Sequence, residues 1–271
     1  MHYREFLPNI LLQPYVQCFF ICETDTAVIA EDSVFATGFV EIMFNLGANG
    51  PEQIVNGGLV HEPSVQLWGQ TIRPFTFTSF RKHAMLGIRF FPHTAACFFN
   101  EPIALFNDQV IDFHDVAGKA ADLLYAQLME AGCLEQRIAL IERFLLARLS
   151  LFEHKFGKLK MVSNILQDLG RDDFFENIHS VAARYGISSR YLQKLFVSYS
   201  GLSPGLFSKI ARFQQSVQLL TQKDLSLTII AYRCGYYDQS HFIKDFRSFT
   251  GTAPSHFQPE LSTDLFVHMN N

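Results

Sequence analysis

Over roughly the first hundred residues, apolar and polar positions alternate with a period of two. In FVEIMFNLG (39–47), Val40, Ile42, Phe44 and Leu46 fall on one face, with Glu41 and Asn45 opposite, the pattern of a strand with unlike faces. PFTFTSF (74–80) and MLGIRFF (85–91) are short, rich in β-formers and bounded by Pro or Gly. Gly47, Gly50, Gly57, Gly58 and Gly69 punctuate turns. Several short strands with regular turns predict a small β-barrel or sandwich.

From about Asp115 the period lengthens. DVAGKAADLLYAQLMEAG (115–132) and CLEQRIALIERFLLARLS (133–150) place apolar residues three and four apart, so each is expected to form one amphipathic helix. In the second, Leu134, Ile138, Ile141, Leu145 and Leu149 make a continuous stripe. Such stripes must pack on their own domain or on a twin chain. FEHKFGKLK (152–160) is polar, contains Gly157 and reads as the linker; everything after it reads as helix.

The helical part holds an internal repeat. NIHSVAARYGISSRYLQKLFVSYSGLSPGLF (177–207) aligns with SLTIIAYRCGYYDQSHFIKDFRSFTGTAPSHF (226–257). Ala182 matches Ala231 and Gly186 matches Gly235, each 49 residues later. Leu192 matches Phe242, Phe196 matches Phe246, Gly201 matches Gly251 and Pro204 matches Pro254, each 50 later. Asn177 and Ser226 are placed to cap a helix start, and Ser188 and Asp238 to cap the next helix. The small Ala182 and Ala231 allow a close helix crossing. Gly186 and Gly235 can take the left-handed conformation that turns the chain. This is helix–turn–helix, twice. GLFSKIARFQQSVQLLTQ (205–222) joins the copies as an amphipathic helix, a rod of about 25 Å at ~1.5 Å per residue.

Composition sharpens this division. The chain has 271 residues, 28 of them Phe, so at least one core should be Phe-rich. No apolar run approaches the ~18 residues of a membrane span, and the N-terminus MHYREFLPNILLQPYVQ lacks a signal-peptide pattern; a cytoplasmic protein with no membrane association is expected. The five cysteines are odd in number and form no C-x-x-C pair, which suits reduced, mostly buried thiols. The net charge of −4 is unevenly spread. Residues 1–150 carry 9 Lys+Arg against 16 Asp+Glu, and residues 178–258 carry 9 Lys+Arg against 3 Asp. An acidic body with a basic module raises the question of nucleic acid.

Three stretches bear on chemistry. CGYYDQSHFIKDF (234–246) spaces Cys234, Asp238, His241 and Asp245 as metal ligands on successive helical turns would be spaced. The repeat argues against that: their counterparts are Tyr185, the turn near Ser188 and Ser189, Tyr191 and Leu195, and none is a ligand. GLSPG (201–205) fits the G-x-S-x-G nucleophile elbow. A helix precedes it, however, and Pro204 has no N–H for an oxyanion hole, so Ser203-Pro204 is read as a helix start. His61, His83, His93 and His114 lie in or near the β part at spacings that match no tight ligand motif.

VAARYGISSRYLQKLFVSYSGLSPGLFSKIARFQQSVQLL (181–220) and IAYRCGYYDQSHFIKDFRSFTGTAPSHF (230–257), with their paired turn glycines and trailing Gly-x-x-Pro, resemble the signature region of the AraC/XylS family of bacterial transcription regulators, a match over about residues 160–258. TGFVEIMFNLG and LGIRFFP resemble a β-rich N-terminal domain found in some members. The resemblance implies two helix–turn–helix units entering successive major grooves of double-stranded DNA. Recognition helices are expected at about 189–199 and 239–249.

Base-contacting candidates follow from the outward faces and the family's DNA-facing positions: Arg190, Gln193 and Lys194 in the first unit, and Gln239, Ser240, His241 and Lys244 in the second. Arg and Lys can donate to guanine and Gln can pair with adenine; Ile243 is a candidate for a thymine methyl. Ser188, Ser189, Tyr237 and Arg247 are expected at phosphates. Ala182, Gly186, Pro204, Ala231, Gly235, Asp238 and Pro254 are structural.

The expected fold class is α+β: a β-barrel or sandwich with flanking helices (1–155), an all-α domain of two helix–turn–helix units joined by a connecting helix (158–258), and a tail (259–271). The expected function is sequence-specific transcription regulation without catalysis and without a metal or other cofactor. RNA polymerase, a small-molecule effector and a second copy of the chain are the further partners considered. The competing reading is a metal- or small-molecule-binding β-domain protein whose helices bind another protein.

Overall fold

The structure, a computed structural model, describes residues 2–24, 30–47, 52–55, 58–61, 63–79, 83–152, 157–170, 178–222 and 224–257. Ten strands precede the α-helices among these residues: β1 (His2–Phe6), β2 (Val16–Thr24), β3 (Ala30–Val34), β4 (Val40–Asn45), β5 (Glu52–Val55), β6 (Gly58–His61), β7 (Val65–Trp68), β8 (Phe75–Ser79), β9 (His83–Phe90) and β10 (Val110–Asp112). They form an antiparallel six-stranded sheet in the order β1-β2-β9-β4-β7-β10 and a four-stranded sheet in the order β3-β8-β5-β6.

One face of the larger sheet presents Val40, Ile42, Phe44, Leu86, Ile88 and Phe90, with Ile42 opposite Ile88 and Phe44 opposite Leu86. This face packs on Phe98, Phe99, Phe106 and Phe113, the Phe-rich core that the composition implies. Phe99 meets Phe106 and Phe113 edge-to-face at 5.6 and 6.4 Å, a favoured aromatic geometry.

The opposite face of β4 is not open to water, because every residue of the strand is buried. Glu41 lies across from Arg89 of β9 and accepts from its Nε at 2.6 Å. The Arg89 guanidinium also stacks over Phe20 at 5.1 Å. A buried charge is tolerated here because it is both paired and hydrogen-bonded.

The stretch 115–132 does not make one helix. Gly118, at φ 58°, breaks it into α1 (Phe113–Ala117) and α2 (Lys119–Glu130). The apolar period runs on across the break, since a period registers which face is apolar and not the dihedral at one residue. α3 (Leu134–Leu151) buries Ile141, Leu145 and Leu149 against the sheet core, with Leu134 and Ile138 partly buried.

The remaining helices are α4 (Leu159–Gly170), α5 (Ile178–Arg184), α6 (Ser189–Ser200), α7 (Pro204–Leu220), α8 (Leu227–Arg233) and α9 (Gln239–Thr250). α4, α5 and α6 share a core of Val162, Ile165, Val181, Leu192 and Phe196. α7, α8 and α9 share another, of Ile210, Phe213, Ile230, Phe242 and Phe246. α7 is the spine of both. Its Phe207 meets Phe196 at 5.4 Å, and its Phe213 meets Phe246 at 5.3 Å.

The β-rich part is joined to these helices by polar and apolar contacts. Asn107 Nδ2 donates to Gly201 O at 2.9 Å, and Gln70 donates to Ser200 O. Gln214 of α7 donates to Ala36 O, and Phe35 and Ala36 are members of the α7–α9 core. His93 Nε2 lies 2.8 Å from Ser163 Oγ of α4. Among the described residues no helix is long and apolar enough to cross a membrane.

Candidate nucleic-acid interface

The two helix–turn–helix units are built alike, atom by atom. In the first, α5 ends as Ile187 N–H donates to Ala182 O at 3.0 Å. In the second, Tyr236 N–H donates to Ala231 O at 2.9 Å. Gly186 and Gly235 lie between, at φ 64° and 71°, where a side chain would be strained. Each recognition helix then starts on a side-chain cap: Ser188 Oγ accepts from Tyr191 N–H at 3.2 Å, and Asp238 Oδ1 accepts from His241 N–H at 2.7 Å. Ser226 and Ser203 cap α8 and α7 in the same way, with Pro204 at the first turn of α7. Ser203 is thus a helix cap in the G-x-S-x-G stretch. Asn177 lies outside the described residues.

One matched pair was not anticipated from sequence. Ser200 Oγ donates to Phe196 O at 2.8 Å and accepts from Leu202 N–H at 3.3 Å. Fifty residues on, Thr250 Oγ1 donates to Phe246 O at 2.9 Å and accepts from Thr252 N–H at 3.2 Å. The signal was a hydroxyl repeated just before Gly201 and Gly251.

The side chains split by face. Leu192, Leu195, Phe196, Phe242 and Phe246 are buried, as are Ala182 and Ala231. Ser188, Arg190, Gln193, Lys194, Tyr237, Ser240, Lys244 and Arg247 are exposed. Ser189, Gln239 and His241 are half-buried. Ser189 Oγ lies 2.7 Å from His179 Nδ1, and Gln239 Oε1 accepts from Thr228 Oγ1 at 2.8 Å. Lys194 and Lys244 occupy equivalent positions, 50 residues apart. Ile243 packs against the α7–α9 core. Pro102 and Ala104 of the β-rich part form one wall of an open groove beside Arg190, Gln193, Lys194 and Val197.

Cys234 and Asp245 face inward. Cys234 is fully buried, and burial pushes its thiol up to about 12, so it is not the thiolate a metal requires. Asp245 is 5% exposed, away from the outer face of α9. Among the described residues no three His, Cys, Asp or Glu come together as a metal site. His93 pairs with Ser163, and His114 Nδ1 lies 2.9 Å from Asp122 Oδ1. The side chains of His61 and His83 lie outside what is described.

Residues 181–260 match a helix-turn-helix domain family. The transcriptional activator RhaS of Escherichia coli strain SE11 is 29% identical over 114 residues, covering 41% of this chain and 41% of RhaS. RhaS of Salmonella paratyphi B is 33% identical over 105 residues, covering 38% of this chain and 37% of its own. The C-terminal region is thus similar to a helix-turn-helix domain and to part of the RhaS transcriptional activators.

This similarity falls on the repeat, and the matching RhaS relatives are transcriptional activators. The match spans about two fifths of the length of these RhaS proteins. Residues 4–112 match a separate domain family of unknown function, DUF6597. Among solved structures, ToxT from Vibrio cholerae aligns over 90% of this chain and 98% of its own, at 12% identity and a TM-score of 0.45.

Proposed function

We propose that the protein is a sequence-specific DNA-binding transcription regulator, acting without catalysis. The observation that carries this is the repeat itself: two capped recognition helices, each with a buried apolar face and a polar outer face bearing a lysine at the same position. In this reading Arg190, Gln193 and Lys194 of α6, and Gln239, Ser240, His241 and Lys244 of α9, meet base edges in successive major grooves. Ser188, Ser189, Tyr237 and Arg247 meet phosphates. We take residues 158–258 as the reader and residues 1–155 as the part that tunes it, through a small molecule or a second copy of the chain. RNA polymerase is the further partner, and the cytoplasm the compartment, that such a role entails.

Genomic binding-site mapping followed by gel-shift titration tests the reading. Lys194→Ala should weaken binding to a mapped site much more than to scrambled DNA, by a factor of about ten, as for loss of one good base contact. Gln239→Ala should do the same. Equal losses on both duplexes would remove the base-reading role, and no enriched sites would remove the function. For the second copy, sedimentation at micromolar concentration with and without DNA decides; monomer throughout rejects it.

A further inference from the structure

The second recognition helix carries an acid where its twin carries a leucine. Asp245 stands 50 residues after Leu195, and each is 5% exposed. A carboxylate in such a place is costly unless it is paired and hydrogen-bonded. Its partners come from α7 and from its own helix. Lys209 Nζ donates to Oδ1 at 3.2 Å. The Arg212 guanidinium lies 4.0 Å from Oδ2, and His241 Nε2 lies 3.7 Å from the same oxygen. Arg212 also covers the Tyr236 ring at 4.9 Å, and that ring meets His241 edge-on at 5.4 Å. Burial first, and Asp245 next, hold the Tyr236 hydroxyl above its usual range. Asp245 Oδ2, Tyr236 OH and Arg212 Nε have no hydrogen-bond partner among the described residues, so charge pairing, not a saturated network, holds this cluster.

A leucine fills the same space in the first unit. What a leucine cannot do is choose between neighbouring turns of α7. The carboxylate meets its cations only when α9 is rolled so that residue 245 faces 209 and 212. That roll also places His241, one turn earlier, at the rim, with 42% of its side chain exposed. Resting on the DNA-reading role proposed above, we propose that Asp245 is a positioning residue: it fixes the roll of α9 on α7 and holds the His241 ring for its base-edge contact. Sequence discrimination by the second recognition helix then depends on a side chain that never touches DNA.

Binding-site selection from randomised duplexes, with the intact chain, tests this. The wild type should enrich two sequence blocks, one under each recognition helix. Asp245→Asn, and Asp245→Leu as a copy of the first unit, should still melt cooperatively. Both should lose about tenfold discrimination in the α9 block alone, the scale of one good contact. In gel-shift titrations on the selected site, adding His241→Ala to Asp245→Asn should cost nothing further, because the two act as a unit. Three results would overturn the inference: an α9 block as sharp as wild type in both variants, losses at 245 and 241 that multiply independently, or equal weakening of both blocks. If the wild type itself enriches no sequence, the DNA-reading role fails and takes this inference with it.

Discussion

His93 lies against α4 with its Nε2 2.8 Å from Ser163 Oγ. Ser163 already donates its hydroxyl to Leu159 O at 3.0 Å, so the histidine must be the donor, a neutral ring protonated at Nε2. Burial lowers its pKa from 6.5 to about 4. The folded state therefore resists a proton that the unfolded chain accepts. The stability this contributes is complete above pH 6.5 and is lost as pH falls toward 4, about 3 kcal/mol in all. His93→Gln keeps a donor for Ser163 and removes the titration. Urea midpoints from pH 7.5 to 4 should fall more steeply for wild type than for His93→Gln, and parallel curves would reject the assignment. A second residue-scale prediction compares two helix ends. Gly201 and Gly251 both close a recognition helix, at φ 72° and 76°. A Cβ at Gly201 would lie 3.0 Å from Ala104 N, whereas one at Gly251 would meet nothing within 4 Å. Gly251→Ala should cost about 1 kcal/mol of backbone strain, and Gly201→Ala about 3. Denaturant titration measures both; equal losses would mean that the Ala104 segment yields.

At the scale of elements, the helix caps carry a prediction of their own. Asp238→Ala removes the hydrogen bond to His241 N–H and should lower stability by about 1 kcal/mol, while Asp238→Asn should lose little. Thermal denaturation of the two variants checks this. Elements of this kind were legible in the sequence because caps, turn glycines and apolar spacing are local signals. The recognition helices expected near 189–199 and 239–249 run Ser189–Ser200 and Gln239–Thr250. What escaped was set by dihedrals or by contacts distant in sequence. The apolar period of 115–132 concealed the break at Gly118, and the alternation of β4 did not say that Arg89 would cover Glu41. The environment of Asp245 was equally hidden. Its cations lie 36 and 33 residues earlier, and only the crossing of α9 over α7 brings them to it.

For the molecule as a whole, the β-rich part and the helices share core residues. Phe35 and Ala36 pack with Phe213 and Phe246, and Asn107 and Gln70 hold the carbonyls at the end of α6. Calorimetry of the full chain should therefore show one cooperative transition. The Asn107→Ala/Gln70→Ala double variant should broaden it or split it in two, and an unchanged single peak would show that the apolar contacts suffice alone. The grip on Gly201 has a further consequence. It makes a joint between the end of the first recognition helix and the segment 102–109. Free energy exchanged through such a joint is reciprocal. In the DNA-reading role proposed above, a change in operator affinity caused by loosening 102–109 is matched by an equal change in the opening of 102–109 on operator binding. Amide exchange along that short segment would then report occupancy of a DNA groove it never enters.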